Sequence, residues 1–158
     1  MKHSFRKGVS FGVTSAIITT LGLMTGLNAS TGSAVVVIAG ILVIAIADAM
    51  SDALGMHISE ESEDHHSHKE IWEATLATFG AKFVVASTFV IPVMLFSLGT
   101  AIMASVAWGL LLITILSYII AKNQKEKPLP IIAEHVVIAV AVIIIANYVG
   151  EAVAAFAA

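Results

Sequence analysis

The chain has 158 residues, 58% of them hydrophobic and 12% charged, with a mean hydropathy of +0.96. A soluble domain carries about 25% charged residues, so the composition excludes an ordinary water-soluble domain and points to an integral membrane protein. The net charge of −3 implies no strongly charged partner and gives no reason to expect nucleic acid, and the lack of cysteine excludes disulfides, thiolate metal sites and thiol catalysis.

Residues 8–47 carry no charge, and neither do residues 83–121. A spanning helix takes roughly 20 apolar residues, so each run holds two. The apolar stretch after "MKHSFRKG" is too long for a signal peptide and shows no cleavage-like site. The first span is expected at about 8–28, with "NASTGS" as the turn after it. In it Gly8, Gly12, Ser15, Thr19, Gly22 and Gly26 recur at spacings of 4, 3, 4, 3 and 4, a heptad seam of small residues. In lipid, helices associate through close backbone approach rather than hydrophobic drive. The seam therefore serves either packing within the chain, or self-association and an ion path.

The second span is expected at about 33–57. It runs into "DAMSDALGMHISEESEDHHSHKE", residues 48–70, where most of the acids and histidines gather. The third, about 73–97, contains Lys82 and ends at the turn "SLGT". The fourth is about 101–121. After the polar loop "KNQKEKPLP", whose prolines suit a loop and a first helical turn, the fifth runs about 130–154. All basic residues except Lys82 fall before the first span, between the second and third, or between the fourth and fifth. By the positive-inside rule that side is the cytosol. The expected fold is an all-α membrane protein, a single domain of five transmembrane helices in the cell membrane. Its N-terminus is cytosolic and its C-terminus outside, with a cytosolic Glu/His-rich link at about 58–72.

Asp48 and Asp52 fall near the cytosolic end of the hydrocarbon layer. An acid at that depth costs up to a few kcal/mol unless paired, hydrated or protonated, so a functional role is its default reading. The alternative is a structural ion pair, with Lys82 at similar depth as partner. If the helix continues unbroken, Asp48, Asp52, Ser59 and Glu63 lie within about 60° of one another with Met56 at the edge, while His57, Glu61, Asp64 and His68 form a second stripe. Carboxylates suit hard divalent cations, and imidazole adds affinity for Fe²⁺, Zn²⁺ and Ni²⁺. The candidate metal ligands are Asp48, Asp52 and Met56 at membrane level, then Glu60, Glu61, Glu63, Asp64, His65, His66 and His68 in a collecting tract. A solvated polar link is the other reading of that tract. Glu134 and His135 lie near the start of the fifth span; Asn147 and Glu151 are one turn apart near its end. No nucleophile–base pair, phosphate loop or His-Glu-x-x-His motif occurs, and no enzymatic activity is expected.

"GVSFGVTSAIITTLGLMTGLNAS" resembles the first helix of the vacuolar iron transporter family, and "ADAMSDALGMHISEESE" resembles its second without a gap. "FVIPVML" resembles the Ile-Pro segment of its third helix, and "NYVG" loosely resembles the close of its fifth. The resemblance implies a homodimer of five-helix subunits that moves Fe²⁺, and often Mn²⁺, out of the cytosol in exchange for protons. The path would lie at the dimer interface, lined by the first two helices, with no permanently bound cofactor. The chain departs from the pattern at three places. Phe11 stands where the family has a first-helix aspartate, and Asp52 stands where it has a second-helix methionine, with Asp48 added one turn earlier. A short link replaces the large cytosolic metal-binding insert. Loss of the methionine shifts the expected preference toward harder ions, Mn²⁺ or Fe²⁺. Three functions remain open: a divalent-metal exporter, a non-transporting scaffold or metal sensor with Phe11 plugging the old path, and a channel-like or small-solute permease.

Overall fold

The computed structural model describes residues 2–63 and 67–157, and among these there are helices and turns but no strands. Asp64, His65 and His66 lie outside the described residues. Five helices are long and apolar enough to cross a membrane: α1, which begins at Lys2 and ends at Thr31, α2 (Ala34–Glu61), α3 (His68–Leu95), α4 (Leu98–Gln124) and α5 (Pro128–Ala157).

The ends are set by local chemistry. Gly32 has φ +58, a left-handed conformation that glycine adopts without strain, and its N–H donates to the Asn28 carbonyl at 2.9 Å. The Ser33 hydroxyl then caps α2 by accepting from the Val36 N–H. Ser67 and Glu70 form a capping box, each side chain accepting from the other's backbone N–H. That box starts α3 at His68, where the sequence suggested about 73, and α2 continues to Glu61 instead of stopping near 57. The expected link of 58–72 is therefore helical at 58–61 and at 68–72. Glutamate and lysine are good helix formers, so leaving the apolar stretch does not end the helix. At the close of α4, Lys125 takes φ 59, and the Glu126 N–H returns to the Ala121 carbonyl at 2.9 Å.

Two helices are irregular inside. Pro92 has no N–H and its ring crowds the carbonyl one turn back. The helix is accordingly interrupted at Phe89, next to Thr88. The Thr88 hydroxyl donates to the Val85 carbonyl and accepts from Trp108 Nε1 at 3.1 Å, tying α3 to α4. In α2, residues Ile44–Asp48 form a π turn. The buried positions Ile41, Ala45, Ala49 and Ala53 recur every four residues. A straight α-helix would rotate that row by about 40° per step, and the wider turn absorbs part of the drift.

α1 is the central pole, packed against all four other helices. Its Ile17, Leu21 and Met24 form the core with Val37 and Ile41 of α2, Phe89 and Val93 of α3, and Ala101 and Ile113 of α4. α5 sits outermost and exposes Ile138, Ile144, Ile145, Val149 and Val153, as a lipid-facing helix does.

The small-residue seam of α1 is consumed inside the chain. A Cβ at Gly12 would lie 2.5 Å from the Thr78 carbonyl oxygen, and one at Gly8 would collide with the Ala74 carbonyl. Farther along, Gly26 meets the Ala146 backbone, and a Cβ at Gly22 would lie 3.0 Å from Val142. Gly8 and Gly12 thus serve contact with α3, and Gly22 and Gly26 contact with α5. Ser15 bonds to α2 and α3, and the Thr19 hydroxyl donates to the Ser15 carbonyl. Of the two readings of the seam, packing within the chain is realised. Gly8 and Gly12 are buried by this packing, while Gly22 and Gly26 are half-buried and line an apolar groove against α5.

Candidate cation site

The close approach at Gly12 brings the α3 backbone against α1 where Lys82 emerges: a Cβ there would sit 3.2 Å from the Lys82 backbone nitrogen. Lys82 is fully buried, yet its Nζ lies 2.5 Å from Asp48 Oδ2 and 2.6 Å from Asp52 Oδ2. It also donates to the Ser15 hydroxyl at 2.9 Å, and Ser15 in turn donates to Asp52 Oδ2 at 2.5 Å. Three helices supply one closed set of bonds. Asp48 and Asp52 are one turn apart, so both carboxylates reach the same ammonium. The π turn ends at Asp48, which puts the irregular backbone directly beside the site. Such wide turns occur frequently at functional positions.

The depth follows from the helical rise. Asp48 is about 21 Å along α2 from Ala34, and Asp52 about 27 Å, at 1.5 Å per residue. A hydrocarbon layer is about 30 Å thick, so in a span beginning at Ala34 the pair falls toward the basic end. Its electrostatics are unbalanced: with both acids ionised, two carboxylates face one ammonium. The side chains differ in access. Lys82 is 0% exposed, Asp52 20% and Asp48 37%, so the site opens outward past Asp48. On the adjoining surface Phe11 and Ser51 are exposed, and a Cβ at Gly55 would meet nothing within 4 Å.

Several candidates lie elsewhere. Phe11 is 44% exposed on the outer face of α1, about 100° around the helix from Gly12. Within one chain it borders no enclosed path. Met56 is buried one turn beyond Asp52. Among the described residues no group of three or more His, Asp or Glu side chains is arranged to hold a metal, and Asp64, His65 and His66 of the collecting tract lie outside them. Glu60 is fully buried and ion-paired with Lys7, and Lys7 Nζ also reaches Glu63 at 3.1 Å. Glu61 and His68 are exposed. The expected ligands Glu60 and Glu63 are held by α1 because α2 extends as helix beside the start of α1.

The expected stripe from His57 is also redirected. His57 stacks edge-on to Trp72 with ring centroids 4.9 Å apart, and its Nδ1 lies 3.0 Å from the Thr75 hydroxyl. Thr75 spends its own proton on the Ile71 carbonyl, so Nδ1 is the donor. The same arrangement recurs at His135, whose Nδ1 donates to Ser117 at 2.8 Å while Ser117 bonds the Ile113 carbonyl. Asn147 donates to Glu151 at 2.7 Å. Sequence reasoning paired Lys82 with the two aspartates but did not find Ser15 as the fourth member. Its signal was a hydroxyl among the glycines, read there only as a small residue.

Compared with known proteins, the chain matches no family model and no curated protein.

Proposed function

We propose that the chain is a membrane transporter for a divalent transition-metal cation, Fe²⁺ or Mn²⁺, moving it out of the cytosol in exchange for protons. One observation carries the reading: a lysine with no solvent exposure is clamped by two carboxylates and a serine at membrane depth, in a site that opens past Asp48. An intramembrane acid pair in excess over its cation is a functional site by default. In the proposed cycle Lys82 is the resting counter-charge, and the incoming ion takes its place between Asp48 and Asp52. The ions bound there are substrates, and the oxygen donors suit hard cations.

The reading includes a homodimer. The polar opening beside Asp48 lies at hydrocarbon depth, next to the exposed Phe11, Ser51 and Gly55. A second copy over this face would keep the acids from lipid and would put Phe11 on the path between subunits. The resemblance of the first two helices to the vacuolar iron transporter family supports the same arrangement. By the positive-inside rule the end holding Lys7, Lys69 and Lys122 is cytosolic.

A second reading is favoured by the completeness of the bonding around Lys82. Every bond the ammonium needs is already made, which is what a structural pin in a non-transporting scaffold or sensor requires. Proteoliposome flux with an internal metal-sensing dye and a pH dye separates the two. The transporter reading expects metal-dependent flux with counter-movement of protons, abolished by Asp52→Asn and weakened by Asp48→Asn. Flux unchanged in both variants removes these acids from the path. No flux of Fe²⁺, Mn²⁺, Co²⁺ or Zn²⁺ in the wild type selects the structural pin.

A further inference from the structure

At the basic end, a cavity of about 670 Å³ lies between the start of α1 and the end of α4. Its mouth is polar, formed by His3 and Arg6 of α1 with Asn123 and Gln124 of α4, and its walls include Leu116 and Ile120. Among the described residues no carboxylate lines it. Lys7 also borders the cavity, but its ammonium is engaged by Glu60 and Glu63. Arg6 is exposed and makes no ion pair among the described residues. The cavity therefore offers an uncommitted guanidinium above an apolar slot.

The slot has a definite depth. Asn123 and Leu116 are about 10 Å apart along α4 by helical rise. That is enough to pass from the headgroup layer, roughly 5–8 Å thick on each side, into hydrocarbon. A guanidinium presents donors in a planar fork that matches phosphate oxygens, and basic pockets between spanning helices suit lipid headgroups. We propose that this cavity binds an anionic phospholipid, with Arg6 on the phosphate and an acyl chain along Leu116 and Ile120. A free phosphate ion uses the guanidinium but has no use for the apolar walls, so the combination favours the lipid. The inference stands apart from the transport reading, since none of these residues belongs to the Asp48–Asp52–Lys82 cluster.

The test uses the full chain, delipidated in detergent and titrated with phosphatidylglycerol or phosphatidylcholine, with bound lipid counted by native mass spectrometry. Circular dichroism first checks that each variant keeps its helix content. Wild type is expected to retain phosphatidylglycerol in preference to phosphatidylcholine. Arg6→Gln should weaken phosphatidylglycerol binding roughly fivefold, the effect of one basic residue at an anionic surface. Lys127→Gln removes the same charge from an exposed loop outside the cavity, and should leave binding at the wild-type level. Ser10→Leu keeps every charge but fills the cavity its side chain borders, and should weaken binding. Equal losses in Arg6→Gln and Lys127→Gln would mean diffuse surface attraction and overturn the site, as would equal retention of both lipids or undiminished binding in Ser10→Leu. If Ser10→Leu fails to fold, the Arg6→Gln and Lys127→Gln pair decides alone. Displacement of the lipid by inorganic phosphate would assign the cavity to the free ion and overturn the lipid assignment.

Discussion

Two lysines in this molecule each stand between a pair of carboxylates, in very different surroundings. Lys7 reaches Glu60 and Glu63 at the basic end, where its own side chain is 36% exposed and that of Glu63 51%. Lys82 reaches Asp48 and Asp52 with no exposure at all. In the first cluster water and salt moderate the Lys7–Glu63 pair, and exposed pairs of that kind contribute about 0–1 kcal/mol, whereas the Glu60 carboxylate is fully buried. The second lies where charges are expensive, so nothing but its own members offsets the cost of burial. The chemical groups are nearly the same, and the solvent decides whether the cluster is an accessory contact or a constraint on the whole bundle.

The largest effect is expected from removing the buried cation. Lys82→Met leaves two carboxylates facing each other at membrane depth, and breaking a buried pair from one side costs about 3–5 kcal/mol. Unfolding in detergent should show that loss, and Mn²⁺ in excess should restore more stability to the variant than it adds to wild type. A variant as stable as wild type would mean that the aspartates do not depend on Lys82, and the contrast between the clusters would collapse.

A smaller loss is expected from moving the helices apart without touching a charge. Gly12→Leu inserts a side chain where even a Cβ would lie 2.5 Å from the Thr78 carbonyl. Overpacking of this kind costs about 1–3 kcal/mol. It should also lower metal-dependent flux by pulling Lys82 away from Ser15, with no change in the mass of the particle in detergent. Dissociation of a dimer without loss of chain stability would return Gly12 to a subunit interface.

The smallest effect belongs to the exposed cluster. Lys7→Gln should cost less than Lys82→Met, because the lysine itself is half-exposed, and the Glu63 share of the difference should shrink as salt rises. A loss equal to that of Lys82→Met would show that burial of Glu60 outweighs the exposure of its partner. That would sharpen the comparison by moving the decisive quantity from the lysine to the acid.

Much of the bundle was legible because charges are scarce. Within long apolar runs, Asp48, Asp52 and Lys82 had few possible partners other than one another, and they do meet. The five helices followed from the length of those runs. The helix ends at the basic side were harder to read: glutamate, histidine and lysine report the end of lipid, not the end of helix, so α2 and α3 run farther than hydropathy suggested. The seam of α1 was visible as a row of small residues, but its spacing holds no record of which helix fills it. The π turn has no marker residue in "IAIAD". Phe11 was read from a family position, whereas its exposure depends on how α1 is rotated against α3. Glu60 and Glu63 have a similar history, since Lys7 takes two side chains that looked available for metal.

The central place of α1 also bears on biogenesis. During synthesis α1 leaves the ribosome before its neighbours, yet the surfaces that cover Gly8 and Gly12 arrive only with α3, and those that cover Gly22 and Gly26 only with α5. The pole of the bundle is therefore made first and dressed last. Until α5 emerges, the C-terminal half of α1 presents bare backbone to whatever surrounds it. A nascent chain stalled before Pro128 would hold the Lys82 cluster together and still lack its final wall.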